Sequence, residues 1–135
     1  MKINRLLPLL GTLILSLFGN SALSEEWNRS DAPFMSGAAY PEVPAACETV
    51  KYWIDHAPPT HDRISFAIKG KLVVSEFDGA LAYLVMCDEQ EVQVLCVTYS
   101  NDGREVGDTV LFGGGYSRAG DKQIMLDPCL AGKED

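Results

Sequence analysis

The chain has 135 residues, 47% of them apolar, and a formal net charge of −8 from 11 Lys and Arg against 19 Asp and Glu. That length suits one small domain. A protein that neutralises phosphates needs clustered cations, whereas Lys51, Arg63, Lys69, Lys71, Arg104, Arg118 and Lys122 are scattered among carboxylates, so nucleic acid and anionic membrane surfaces are excluded as partners.

At the start, Lys2 and Arg5 flank the apolar run LLPLLGTLILSLFG (residues 6–19), and SALS leads into Glu25 and Glu26. A basic flank, an apolar core and the small residues Ala22 and Ser24 predict a secretory signal over residues 1–24, cut after Ser24. The run is short for a helix crossing ~30 Å of hydrocarbon, which needs about 20 residues, so no stable membrane anchor is expected after cleavage. The mature chain would keep nine Lys and Arg against nineteen Asp and Glu, a charge of −10, and would reside in the periplasm or be secreted.

Residues 25–44 contain Pro33, Pro41 and Pro44 and read as an extended arm that packs through Trp27, Phe34 and Tyr40. AACETVKYWIDH (45–56) puts Ala46, Val50, Trp53 and Ile54 near one face at helical spacing. This predicts a short N-terminal helix that ends before Pro58 and Pro59, which a helix interior rejects, with Trp53 as a core anchor. DHAPPTHD (55–62) then gathers His56 and His61 with two aspartates. Its spacing matches no recognised metal site, and the prolines make it a rigid connection.

From Arg63 the period changes to two. RISFAIKGKLVVSEF (63–77) alternates, with Gly70 in its middle marking a bulge or sharp bend. Asp78-Gly79 is a turn, and ALAYLVMC (80–87) and EVQVLCVTY (91–99) are the second and third strands, with a polar turn between them. SNDGREVGD (100–108) is a loop. TVLFGGGY (109–116) is the fourth strand, SRAGD a turn, KQIMLDPCL (122–130) the fifth strand, and residues 131–135 should fray. The fold class is therefore mainly β: five strands closing into a small barrel over 45–130, with the helix and the arm. Closure removes exposed edges; an open antiparallel sheet capped by the helix is the alternative.

The stretch IKGKLVVSEFDGALAYLVMCDEQEVQVLCV, followed by EVGDTVLFGGGYSRAGDKQIML, resembles the OB-fold, and in particular exported bacterial OB-fold proteins. The likeness covers roughly Arg63 to Cys129, with Val106-Gly107-Asp108-Thr109-Val110 as its motif. It implies a five-stranded barrel and binding rather than catalysis, through the face of the second and third strands. On this chain that face would hold Tyr83, Val85, Val97 and Tyr99. The basic residues of a nucleic-acid groove are replaced by Glu76, Asp78, Asp88, Glu89 and Glu91.

Cys47, Cys87, Cys96 and Cys129 are an even set without a C-x-x-C pair, which favours disulfides over a zinc or redox motif. A tight turn after Cys87 would hold it more than about 10 Å from Cys96, beyond the ~7 Å between Cα atoms that a bridge allows. In an OB barrel the third and fifth strands are neighbours, which lets Cys96 meet Cys129 and leaves Cys47–Cys87 to staple the helix. A Cys47–Cys129 bridge with Cys87 and Cys96 unpaired is the alternative, and the sequence leaves the connectivity open.

No set of base, nucleophile and charge-stabilising group stands out, and Gly113, Gly114 and Gly115 lack the helix and Lys-Ser/Thr pair of a phosphate loop. Strand curvature or close backbone packing is their expected purpose. The chain is thus expected to be a non-catalytic binding module without cofactor or metal, contacting an unidentified protein or small ligand of the cell envelope. One alternative is an OB-like subunit of a secreted or envelope assembly, like a toxin's receptor-binding part, docked through the arm. A remote one is a small metal-dependent hydrolase using His56 and His61.

Overall fold

The computed structural model describes residues 31–133. The expected signal over 1–24 and the packing residue Trp27 lie outside the described residues. Among the described residues, seven strands and one helix follow in order: β1 (Phe34–Ser36), β2 (Ala45–Ala46), α1 (Val50–Asp55), β3 (Ile64–Phe77), β4 (Ala82–Met86), β5 (Gln93–Thr98), β6 (Thr109–Gly120) and β7 (Gln123–Lys133).

Five of the strands close into a barrel, β3-β4-β5-β7-β6 and back to β3. The order, with β5 parallel to β7 and every other barrel pair antiparallel, is consistent with an OB-like fold. The long first barrel strand makes closure possible by changing partners midway. Its first half pairs with β6 as far as Lys71↔Thr109, and its second half pairs with β4 from Leu72↔Met86 onward. The register slips between Leu72 and Val74, so Val73 is the extra residue of a bulge just after Gly70, where the glycine forecast a bend. Gly70 also has a packing reason. A Cβ there would lie 2.7 Å from Cys47 Sγ and 2.9 Å from Met86 Sδ.

Alternation sorts the side chains. Leu72, Met86, Val94 and Ile124 form one inward row across the sheet, and Leu84, Cys96 and Leu126 another, all buried. Phe66, Ile68, Val110 and Phe112 complete the core from β3 and β6. The arm is more structured than expected. Phe34 pairs with Phe66 in β1 and is only 2% exposed; its ring lies 4.9 Å from Phe66 and 5.3 Å, edge-on, from Tyr116.

The helix differs from the prediction in place and length. It occupies Val50–Asp55 alone, not residues 45–56, and it is not at the N-terminus. Ala45 and Ala46 instead run parallel to Ile68 and Lys69 as β2, and Thr49 Oγ1, bonded to Ala46 N and O, closes the turn between them. Val50 and Ile54 are buried, and Trp53 packs partly buried against the core, as an anchor would. Asp55 reaches Arg118 of β6 at 3.6 Å and also pairs with Lys51.

Two further segments extend past their predicted ends. SRAGD is mostly strand, because β6 continues to Gly120. Residues 131–133, expected to fray, pair with Phe112, Leu111 and Val110. The 100–108 loop lies back along β3: Ser75 Oγ donates to Arg104 O at 2.6 Å, Leu72 N to Asp108 O, and Gly107 N to Leu72 O. It thereby covers backbone that the partner switch of β3 would leave open.

The disulfides are Cys47–Cys87 and Cys96–Cys129, each with Cα atoms 5.5 Å apart, the favoured pairing. The β4–β5 connection is longer than expected, since pairing resumes only at Met86↔Val94. Cys87 leaves the strand with φ +77°, a left-handed turn that aims it at Cys47. Two disulfides indicate an oxidising, extracellular or periplasmic environment, and no helix among the described residues is long and apolar enough to cross a membrane.

Candidate functional site

The outward half of the alternation produces the candidate site. Val74, Val85, Leu95 and Met125 stand side by side on β3, β4, β5 and β7, each only partly buried. One step along the strands, Glu76, Tyr83 and Val97 form a second row. Tyr99 sits just past β5 and is 80% exposed. An apolar band across four strands on the outside of a small barrel is the kind of patch that marks a contact surface.

Of the four residues that sequence reasoning nominated, Tyr83 and Val97 are direct cross-strand partners, Val85 lies one outward position from Tyr83, and Tyr99 extends the band at its end. Sequence reasoning missed Val74, Leu95 and Met125. Leu95 was readable, since it shares the parity of Val97. Val74 depends on the bulge at Val73, which shifts the parity of β3, and Met125 on a parallel β5–β7 pairing that no local pattern encodes.

Charge along the β4–β5 part of the band is acidic, although Arg63 shares a groove with Met125 and Lys69 and Lys71 share one with Asp88 and Glu91. Residues 72–103, which supply all of the band but Met125, contain Glu76, Asp78, Asp88, Glu89, Glu91 and Asp102 and not a single Lys or Arg. Asp78 anchors the β3–β4 turn by accepting from Leu81 N at 2.7 Å and Ala80 N at 2.8 Å. These donors hold its carboxyl below its ordinary value near 3.8. Its other oxygen accepts from the Tyr83 hydroxyl at 3.3 Å, and the nearby negative charge raises the phenol above its usual range.

A depressed carboxyl contributes stability above its unfolded value and loses it as pH falls through the folded one. Asp78→Ala is therefore expected to lower the melting temperature at pH 7. The gap to the parent should close as pH drops from about 4 toward 2. Melting curves across that range check it; a constant gap would mean that the carboxylate charge contributes nothing.

The histidines go to different places. His56 Nδ1–H donates to Tyr52 O at 2.7 Å, and its ring stacks on Tyr52 at 4.3 Å. His61 lines an open groove of about 630 Å³ with Asp62, Arg63, Tyr116 and Asp127, which His56 does not line. No group of three or more His, Cys, Asp or Glu among the described residues is placed to hold a metal ion. Glu91 turns back to accept from Asp88 N at 3.4 Å, a local turn contact. The three glycines pack closely: a Cβ on Gly113 would meet the Tyr40 ring at 2.7 Å, and one on Gly114 the Pro128 carbonyl at 2.4 Å.

No family model matches the chain, and no curated protein matches it.

Proposed function

We propose that this chain is an extracytoplasmic binding module that recognises its partner through the outer face of β3, β4, β5 and β7 and performs no chemistry of its own. The observation that carries the reading is the unbroken outward row Val74–Val85–Leu95–Met125, extended by Tyr83, Val97 and the exposed Tyr99. Leaving apolar side chains and a tyrosine in water lowers solubility without adding to the core, which is filled by the opposite parity. The separation of His56 from the His61 groove supports binding over hydrolysis. Phe34 of the arm is buried within its own chain, which takes that residue away from docking on a neighbour.

A photo-crosslinking amino acid placed at Tyr99 or Tyr83 in the native host tests the reading, with Tyr52 on α1, 46% exposed, as the off-face control. The expected result is a discrete adduct from the two face positions and none from position 52. No adduct at the face, or the same adduct at all three, overturns it.

A further inference from the structure

We infer that the partner seated on this face is a cationic amphipathic segment of another protein, with apolar side chains on the Val74–Val85–Leu95–Met125 row and Lys or Arg toward its rim. The inference rests on the reading of the face as a binding surface and adds the chemistry of the occupant.

Charge complementarity carries it. Over residues 72–103 the chain lays down six carboxylates and no cation, and these residues build β4, β5 and the half of β3 that faces them. Glu76 stands in the outward row beside Tyr83, and Asp78 sits at the adjoining turn. Asp88 and Glu89 are exposed at the opposite end of β4 and β5, where Lys69 and Lys71 share a groove with Asp88. Past Met125, Asp127 is also exposed, in the bulge of β7 and beside Arg63 in the groove that Met125 shares, so the acidic rim is strongest at the β3–β4 end. Arg104, the first cation after this stretch, bonds to Asp102 at 3.2 Å with its side chain only 12% exposed, so it adds little positive potential to the rim. An acidic rim raises the local concentration of cations and repels anionic competitors.

The tyrosines fit the same occupant. Tyr83 and Tyr99 present rings on which an ammonium or guanidinium gains cation–π attraction. The Tyr83 hydroxyl, committed to Asp78, leaves the ring as its available surface. A second copy of this chain would bring another acidic face and is disfavoured by the same charges.

The size of the band admits a helical segment. Four strands at about 4.8 Å spacing make a band about 14 Å across, which a helical segment of about 10–16 residues covers at 1.5 Å per residue.

The test uses three synthetic peptides of about 16 residues, titrated into the folded protein and followed through backbone amide shifts. One carries leucine on one face and lysine on the other, the second replaces lysine by glutamate, and the third replaces leucine by glutamine. The leucine–lysine peptide is expected to shift amides of Val74, Tyr83, Val85, Leu95 and Val97, and to bind at least about tenfold more tightly than the other two. Glu76→Lys with Tyr99→Ser should weaken it about tenfold, and Glu42→Lys on the arm by less than about twofold. If the glutamate peptide binds the same amides equally well, the face stands and the cationic occupant falls. If the lysine–glutamine peptide binds as well, the attraction is unspecific and the proposal falls. If no peptide moves these amides, the occupant falls, and the crosslinking result alone then decides the face.

Discussion

Replacing Gly114 by Ala is expected to lower the melting temperature by about 12–24 °C, roughly 3 kcal/mol. The cause lies on the neighbouring strand. Between the pairs Gly114↔Cys129 and Tyr116↔Leu126, β6 has one residue and β7 has two, so Asp127 and Pro128 form a bulge pressed against the glycines. A Cβ on Gly114 would come within 2.4 Å of Pro128 O, 3.0 Å of Cys129 Cα and 3.2 Å of Leu126 Cβ. Two of those atoms are backbone, and the strand that holds them is fixed by the Cys96–Cys129 bridge. Nothing flexible is available to give way. Gly113→Ala should cost less, since its Cβ would meet the ring of Tyr40, a 44% exposed side chain that can swing outward. Gly120→Ala is the control on the same strand. It meets nothing within 4 Å and lacks a positive φ, so it should be neutral or raise stability by up to about 1 kcal/mol. Thermal denaturation of the three variants checks the order, and a Gly114→Ala midpoint within about 3 °C of the parent would refute the close-packing account.

Those glycines illustrate how much of the molecule a reader of the sequence can reach. Alternation over Ala82–Met86 and Gln93–Thr98 is written residue by residue, and it gives both the strands and their outward faces, hence Tyr83, Val85 and Val97. The glycine triplet announces close packing, but which atoms approach depends on a bulge at Asp127–Pro128 that only the folded register reveals. The same holds for the band. Val74 reaches it because Val73 bulges, and Met125 because β7 runs parallel to β5, a pairing made between segments some thirty residues apart. The helical spacing of Ala46, Val50, Trp53 and Ile54 predicts a helix longer than Val50–Asp55, but the backbone of Ala45 and Ala46 gains more by pairing with β3. Propensity over so short a window is a weak prior that tertiary pairing overrides.

The two disulfides are expected to differ sharply in what their loss does, although their sequence separations of 40 and 33 give each about 4 kcal/mol in a chain-entropy account. Cys96 and Cys129 are 0% and 4% exposed and join β5 to β7. The direct pairing of those strands spans only Gln93–Cys96 against Gln123–Leu126, so the bridge reinforces the contact that closes the barrel. Cys96→Ala with Cys129→Ala should therefore remove about 4 kcal/mol or more, a large share of the 5–15 kcal/mol that such a domain possesses.

Cys47–Cys87 lies elsewhere. It lines an open groove with Lys69, Lys71 and Asp88, Cys47 is only partly buried, and Cys87 is held at φ +77°. A left-handed non-glycine residue costs roughly 1–2 kcal/mol, and breaking the bridge lets it relax. Cys47→Ser with Cys87→Ser should thus cost about 2–3 kcal/mol, with amide changes confined to the helix, its approach and the 87–92 turn. Access argues the same way: a thiolate must reach a sulfur in line before exchange begins, and only the groove offers one. Mild native-state reduction followed by alkylation and peptide mapping should label Cys47 and Cys87 at least about tenfold faster than Cys96 and Cys129. Equal rates, or prior labelling of the core pair, would show that the barrel opens before the helix detaches, and the division of labour between a closing bridge and a stapling one would be wrong.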